Sequence, residues 1–194
     1  MMTRNRLLVS AIILALLQIG FLSWIMASRA AVLRNGQEVL LKVEPVDPRD
    51  LLRGDYVSLG YDISTMPVKM IVNRPSGAAV TEGGPIWVRV EKGADGFWQP
   101  TSASLGTAFA TSPAEGQVDV RGTVLSGWSL DQEETIHVDY GIDRFYLPEG
   151  EGRAIEQDMR VRSFGILAAV AEDGTLQIKG LMDGNRMLFS EPLY

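Results

Sequence analysis

The stretch "DPRDLLRGDYVSLGY", residues 47–61, passes from turn-forming residues into an alternating strand. Proline fixes φ at about −65° and Gly54 tolerates a positive φ, so both favour a turn before the strand. In a strand, successive side chains point to opposite faces. Val57, Leu59 and Tyr61 therefore share the face that we expect to be buried, and Tyr56 lies on the other.

Asp55 is the ambiguous residue of this stretch. It lies at the lip of the apolar face, where a carboxylate is tolerated only beside backbone donors or an arginine. In one interpretation Asp55 closes a turn, Tyr56 covers a sheet edge and Tyr61 anchors a corner of the core. In another, Asp55 and the tyrosines face a binding partner, because aromatic side chains often anchor interfaces. The pattern favours an architectural role over a chemical one.

Residues 7–27, "LLVSAIILALLQIGFLSWIMA", carry no charge. As a helix they would be about 30 Å long, which is the thickness of the hydrocarbon core of a bilayer. They predict a transmembrane helix that follows a basic leader, residues 1–6. The alternative is a signal peptide cleaved at Ser28-Arg29-Ala30, although such peptides have a shorter apolar core of about 7 to 15 residues.

The basic leader favours an N-terminus in the cytoplasm, so residues 36–194 are expected on the periplasmic or extracellular side. Four of the 18 Lys and Arg residues precede residue 36, which leaves 14 basic against 24 acidic side chains and a net charge of −10. A domain this acidic repels nucleic acid and anionic lipid head groups. Its expected partner is a protein or a small molecule.

The chain has no cysteine and a single histidine, His137. Structural disulfides, thiolate metal sites, a cysteine nucleophile and a multi-histidine zinc site within one chain are therefore excluded. The acidic runs around Asp50 and Glu149 do not match the spacing of a calcium-binding loop. We predict neither a cofactor nor a metal.

After residue 36 the sequence alternates in short apolar segments separated by Gly, Pro, Asn and Asp, which is typical of half-buried strands. The Asp-Gly steps in "EKGADGFW" and "VAEDGTLQI" predict tight hairpins, and "KGLMDGNRM" is compatible with a third. The predicted strands are Gln37–Val43, Tyr56–Tyr61, Val68–Val72, Ile86–Val90, Phe97–Thr101, Val118–Leu125, Thr135–Tyr140, Arg144–Leu147, Arg162–Val170 and Thr175–Gly180.

Helix formers near residues 153–160 predict one short helix. The predicted fold is mainly β: an antiparallel, barrel- or sandwich-like domain behind the N-terminal transmembrane helix.

A second segment, "ETIHVDYGIDRFYLPEGEG", residues 134–152, changes its apolar parity along its length. Tyr140 lies on one face of the strand and Phe145 on the other. Gly141 or Asp143 is therefore expected to mark a bulge or bend that switches the faces.

Charged residues surround this bend. Arg144 is expected to pair with Asp55 or Glu149, a contact that constrains the fold only if it is buried. The candidate residues for partner binding or for a structural signature are Gly54, Asp55, Tyr56, Leu59, Tyr61, Tyr140, Gly141, Asp143, Arg144 and Glu149.

His137 supplies an enzymatic alternative. Asp139 shares its strand face, and Ser126 or Ser129 could approach it from the preceding strand. These residues, or the clustered carboxylates, could serve an extracytoplasmic hydrolase or a small-ligand-binding enzyme. No nucleophile elbow accompanies them, so an exposed strand histidine is the favoured interpretation.

The first stretch also carries a family resemblance. Gly54-Asp55-Tyr56, Leu59 and Tyr61 satisfy the fixed positions of the pattern for which the bacterial GDYXXLXY proteins are named. The similarity extends to "PVDPRDLLR", residues 45–53, and to "YGIDRFYLPEGEG", residues 140–152. Together with the anchor and the C-terminal hairpin, the resemblance covers most of the chain.

The resemblance implies a bacterial, membrane-associated protein with one soluble domain and no established biochemical activity. Proteins of this family are often encoded beside multi-pass membrane proteins, which implies a membrane complex. The expected function is therefore a non-catalytic domain, anchored in the lipid bilayer of the inner membrane through residues 7–27, that binds or stabilises a multi-pass inner-membrane protein.

Overall fold

The computed structural model describes residues 4–45, 56–73, 82–125, 134–146, 155 and 162–191. Within these residues the chain forms one long helix, α1 (Arg4–Asn35), and eleven strands. The strands are β1 (Gln37–Pro45), β2 (Tyr56–Tyr61), β3 (Thr65–Pro67), β4 (Pro85–Lys92), β5 (Trp98–Leu105), β6 (Gln117–Val124), β7 (Thr135–Asp139), β8 (Arg144–Tyr146), β9 (Phe164–Val170), β10 (Leu176–Asp183) and β11 (Arg186–Ser190). Two short 3₁₀ turns cover Asp62–Ser64 and Val68–Met70. The predicted mainly β class with an N-terminal apolar helix is confirmed.

The helix α1 is long and apolar enough to cross a membrane, and its large apolar side chains between Leu7 and Met26 are exposed. It runs eight residues beyond the predicted end at Ala27 because "SRAAVLRN" consists mostly of good helix formers. Near its end Leu33 is 1% exposed and packs on the β domain. Gly36 alone separates the helix from β1, and its N–H donates to the Val32 carbonyl at 2.8 Å. Helix and domain are thus joined without a linker.

The strands form two antiparallel sheets. The six-stranded sheet has the order β11-β10-β9-β1-β2-β8, and the five-stranded sheet has the order β3-β7-β6-β4-β5. Apolar side chains alternate along the strands, as for Val39, Leu41 and Val43 in β1, and form a single core between the sheets. Of the two predicted architectures, barrel and sandwich, the described residues form the sandwich.

The predicted hairpins are present at the Asp-Gly steps. In the β9–β10 turn Gly174 has φ of 84°, and in the β4–β5 turn Gly96 has φ of 87°, the left-handed conformation that glycine adopts without strain. The third turn joins β10 to β11, where Asp183 lies opposite Arg186.

One expectation about secondary structure is wrong, and another lies almost entirely outside the described residues. Val68–Val72 was predicted as a strand, but Val68–Met70 is a 3₁₀ turn, and the short strand β3 precedes it. The Val68 N–H still donates to the Glu134 carbonyl at 2.9 Å, and the Ile71 N–H then donates to the Val68 carbonyl at 3.1 Å, so the chain turns away from β7 although the apolar pattern continues. Of the short helix predicted near residues 153–160, the structure describes only Ile155, which is helical and buried.

Candidate functional site

The two segments singled out in the sequence form one antiparallel corner of the sandwich. On the six-stranded sheet Ser58 lies opposite Arg144, and on the five-stranded sheet Thr65 lies opposite His137. Between these ladders the Leu59 N–H donates to the Asp143 carbonyl at 2.8 Å. The strands β2–β3 and β7–β8 therefore bend together from one sheet to the other. We call residues 59–66 and 138–145 the signature corner.

Two tyrosines close the signature corner reciprocally. The Tyr61 hydroxyl donates to the carbonyl oxygen of Ile142 at 2.6 Å, and the Tyr140 hydroxyl donates to that of Ile63 at 2.9 Å. Each hydroxyl thus reaches the carbonyl two residues beyond the other tyrosine. Both side chains are buried, with 3% and 6% exposure. The two crossings between the sheets are thereby tied to each other.

An echo in the sequence matches this symmetry. Residues 59–66, "LGYDISTM", and residues 138–145, "VDYGIDRF", share tyrosine at the third position and isoleucine at the fifth. Both end on a large buried side chain, Met66 or Phe145. In each segment alternate residues are buried up to the isoleucine, and the next buried residue lies three positions further on, on the other face of the strand. This shared change of face was a signal from which the reciprocal contact could have been inferred.

The environment of the two tyrosines fixes their chemistry. Burial raises the pKa of both hydroxyls far above the ordinary value, and the charges of Asp143 at Tyr61 and of Asp62 at Tyr140 raise it further. Gly122 of β6 makes room for the Tyr140 ring, since a β-carbon there would lie 3.1 Å from the ring. Hydroxyls that stay protonated and already donate to carbonyls cannot serve as bases or nucleophiles.

Other candidates of the second segment lie at the surface. Gly141 has φ of 71° and lies in the bend that the parity change predicted. The Arg144 Nε lies 3.5 Å from the Asp143 carboxylate, with side chains 58% and 61% exposed. Gly54, Asp55, Glu149 and the side chain of Tyr56 lie outside the described residues. The predicted contact of Arg144 with Asp55 or Glu149 therefore stays a prediction.

His137 and Asp139, the described residues of the enzymatic alternative, each have a local partner. His137 is exposed, and its Nδ1 lies 3.2 Å from the Thr65 hydroxyl. Asp139 accepts a hydrogen bond from the Gly141 N–H at 2.8 Å. Ser126 and Ser129 lie outside the described residues, so the hydrolase hypothesis stays untested. Within the part of the chain that the structure describes, no group of three or more His, Asp or Glu side chains is placed to hold a metal ion.

Asp62, in the signature corner, is a titratable residue that the sequence reasoning missed. Burial raises the pKa of its carboxyl, and the charge of Glu44 raises it further, whereas a backbone hydrogen bond from Ile63 opposes the shift. One carboxyl oxygen is buried and has no hydrogen-bond partner among the described residues. The charged form of Asp62 is therefore disfavoured by its surroundings.

A cleft of about 800 Å³ lies at the opposite end of β1, where α1 meets the sandwich. We call it the junction cleft. The helix end contributes Ala31, Val32 and Asn35, and the strands contribute Val118 and Val170. Sequence reasoning missed it because its walls come from segments far apart in the chain: the helix end, the β5–β6 connection, β6 and the β9–β10 turn.

Three acidic residues line the junction cleft: Asp119, Glu172 and Asp173. The Thr175 N–H bonds to the Asp173 carboxylate at 3.0 Å and, together with the Thr175 hydroxyl and Arg121, lowers the pKa of Asp173. Neither lysine nor arginine is among the described lining residues. The cleft therefore suits a ligand group with positive charge or hydrogen-bond donors.

Arg89 fixes one wall of the junction cleft. Its guanidinium donates two bonds to the Asp119 carboxylate, at 2.6 and 2.8 Å, and one to the Thr111 carbonyl at 2.6 Å. It also lies 4.3 Å from the centre of the Phe109 ring. The β5–β6 connection is thereby held over the sheet, and because Asp119 is neutralised, Glu172 and Asp173 remain as the acidic groups of the cleft.

An apolar helix is fused to an antiparallel sandwich, and one sheet crossing contains Leu59 and Tyr61, the described buried residues of the sequence pattern Gly-Asp-Tyr, Leu and Tyr. The chain belongs to the GDYXXLXY protein family, whose model matches residues 18–181. The resemblance inferred from the sequence is thereby confirmed. No curated protein and no solved structure matches the chain.

Proposed function

We propose that this protein is a non-catalytic extracytoplasmic domain, anchored in the bacterial inner membrane by α1, that binds or stabilises a multi-pass membrane protein. The helix crosses the membrane once with its N-terminus in the cytoplasm. The observation that carries the proposal is the direct junction of α1 with β1 through Gly36.

A direct junction sets the height of the domain above the membrane. Leu33 is buried in the domain and lies six residues beyond Ala27, which is about 9 Å along a helix. The head-group layer on each side of a bilayer is about 5 to 8 Å thick. The sandwich is therefore held at the membrane surface, where it meets membrane proteins rather than soluble ones.

The junction cleft is the surface best placed for such a contact. It includes the end of α1, so it opens beside the membrane. Glu172 is exposed at its edge and offers an acidic group to a basic side chain of the partner. Complementary charges at an interface contribute mainly to orientation and specificity. The signature corner, by contrast, uses its tyrosines internally.

Co-purification tests the proposal. The full chain, tagged and solubilised from membranes in mild detergent, should retain a multi-pass protein. Glu172→Lys should reduce this retention at least about fivefold, since the loss of a paired interfacial charge costs about 1 kcal/mol or more. Glu44→Lys, the same change at an exposed position at the other end of β1, is the matched control and should retain the partner.

The two failures differ. If the wild-type chain retains no integral membrane protein, the proposed function is wrong. If it retains one equally well with Glu172→Lys, only the role of the junction cleft is wrong.

A further inference from the structure

Asp62 lies between the two reciprocal hydrogen bonds of the signature corner. The residue before it, Tyr61, donates one of these bonds, and the residue after it, Ile63, accepts the other. Its Oδ1 atom is buried and has no hydrogen-bond partner among the described residues. A carboxylate oxygen in such a position is stabilised neither by water nor by a donor. The charge of Asp62 therefore bears on the short backbone segment that carries both bonds.

Charged side chains of neighbouring elements converge on Asp62. The register of the β1–β2 ladder places Lys42 opposite Asp62, one position beyond the last pair, and Glu44 projects from the same face of β1. Burial raises the pKa of the Asp62 carboxyl, and the charges of Glu44 and of Asp95, in the β4–β5 turn, raise it further. Lys42 and a backbone hydrogen bond from Ile63 oppose this shift without cancelling it.

The β4–β5 turn that carries Asp95 is packed onto β1 by an apolar contact. A β-carbon at Gly165 would lie 2.9 Å from Cε1 of the Phe97 ring and 2.8 Å from Cδ1 of Leu40, so the ring fills the space beside Gly165 and Leu40. A turn of the five-stranded sheet thus reaches the six-stranded sheet next to Asp62. Apolar packing holds the turn on β1, whereas the like charges of Asp62 and Asp95 push it away.

The other elements that pack against the 3₁₀ turn of Asp62 add no second site of proton uptake. Strand β5 has no titratable side chain. Strand β7 carries His137 and Asp139, and each already has a hydrogen-bond partner. The Tyr140 hydroxyl near Asp62 stays protonated because burial raises its pKa far above the ordinary value.

We propose that Asp62 makes the signature corner a proton-sensitive clasp. Protonation of its carboxyl in acid tightens the corner and holds the β4–β5 turn on β1, and ionisation near neutral pH loosens both. The protonated carboxyl no longer repels Glu44 and Asp95, and its buried oxygen no longer carries a full charge.

The direction of the pH dependence follows from the raised pKa of Asp62. The folded chain binds this proton more tightly than the unfolded chain, so the ionised form is the one that destabilises the fold. The destabilisation is absent below the ordinary carboxyl pKa of about 4 and grows as the pH rises through the higher pKa of the folded chain.

Hydrogen exchange of the Leu59 amide tests the clasp. This N–H donates to the Asp143 carbonyl across the corner, so its exchange reports opening of the corner. Asp62→Asn has the shape of the protonated carboxyl and no charge. In the full chain in detergent at pH 7, it should slow this exchange at least about threefold, because the penalty of a half-buried, incompletely paired carboxylate is removed. Compared at equal pH, variant and wild type should become alike as the pH falls to about 4.

Glu82→Gln is the matched control. It removes one acidic charge at an exposed position before β4 and should leave the exchange of Leu59 unchanged at both pH values. Equal or faster exchange in Asp62→Asn than in wild type at pH 7 would overturn the proposal. A difference of the same size at both pH values would also overturn it, because protonation would then not be its cause.

Asp95→Asn supplies a second measurement that does not alter the corner itself. The asparagine keeps an acceptor for the Phe97 N–H, which bonds to the Asp95 carboxylate at 3.1 Å. At pH 7 it should slow the exchange of Leu59 by a smaller factor than Asp62→Asn, and it should have no effect when Asp62→Asn is already present. An equal effect in both backgrounds would show that the two charges are not coupled and that the clasp is wrong. Neither measurement needs a partner, so the clasp and the proposed function can fail separately.

Discussion

The signature corner and the junction cleft lie at opposite ends of β1, and they use their polar groups in opposite ways. In the corner, the hydroxyls of Tyr61 and Tyr140 are buried and donate to carbonyls of the same chain. In the cleft, Glu172 is exposed beside the end of α1. The described residues of the family pattern thus hold the sandwich together, whereas the surface suited to a partner is built from residues outside that pattern.

Removing both tyrosine hydroxyls in one chain should have the largest effect of the three changes that test this difference, because the two single losses combine. Tyr61→Phe and Tyr140→Phe each leave a buried carbonyl without its donor, which costs about 1 to 3 kcal/mol in the free energy of unfolding. Because both bonds close one corner, the double variant should deviate from additivity by about 0.5 kcal/mol or more. Chemical denaturation of the single and double variants measures the coupling.

Tyr146→Phe is the matched control for the tyrosine variants. Tyr146 is 67% exposed on β8, so its replacement should change the free energy of unfolding by less than about 0.5 kcal/mol. Under the proposed function, both corner variants should still retain the proposed membrane partner under conditions in which they are folded. Loss of the partner without loss of stability would assign the corner a binding role and remove the contrast with the cleft.

Local patterns in the sequence were sufficient for most of the fold. The alternation of apolar and polar residues predicted the strand β2 at Tyr56–Tyr61, and the Asp-Gly steps predicted the turns that contain Gly96 and Gly174. The reciprocal bonds of Tyr61 and Tyr140 were not predicted because they join residues about eighty positions apart. Only the folded topology brings such residues together, although the Tyr and Ile echo carried the signal.

The junction cleft could not be predicted for a related reason. The apolar run alone indicated an anchor ending at Ala27, and although the next residues favour a helix to Asn35, nothing local showed that this extension buries Leu33 against the sandwich. The extension matters because it joins the apolar helix directly to the sandwich instead of through a tether. Tertiary packing, rather than helix propensity, supplies that information.

A change at the junction should have an intermediate effect. A β-carbon at Gly36 would lie 2.6 Å from the Val32 carbonyl oxygen and 2.8 Å from that of Val170. Both are backbone atoms, so Gly36→Ala forces the helix end away from the sheet and should cost about 1 to 3 kcal/mol. Limited proteolysis should then cleave between α1 and β1 more rapidly than in the wild type.

Gly20→Ala is the control for the junction variant. It lies in α1 where an added β-carbon meets nothing within 4 Å, and alanine is the better helix former. It should leave both stability and proteolysis unchanged or slightly improve them. Equal protection of Gly36→Ala and wild type would mean that the junction is a flexible tether. The junction cleft would then have no fixed shape to compare with the signature corner.

The smallest effect should come from the acid-labile turn beside the cleft. The Thr175 N–H and hydroxyl, with Arg121, lower the pKa of Asp173, so its ionised form stabilises the folded chain. For a carboxyl whose pKa is lowered by folding, this stabilisation is complete above the ordinary value of about 4 and is lost as the pH falls through the folded pKa.

Asp173→Asn keeps an acceptor for Thr175 but removes the charge. It should lower stability at pH 7 by less than about 1 kcal/mol, since solvent screens the exposed part of the carboxylate. Melting temperatures in detergent should therefore converge for variant and wild type only as the pH falls well below the ordinary carboxyl pKa, through the lowered pKa of Asp173 in the folded chain. A difference that persists unchanged into acid would mean that the introduced amide group, and not the loss of charge, destabilises the turn.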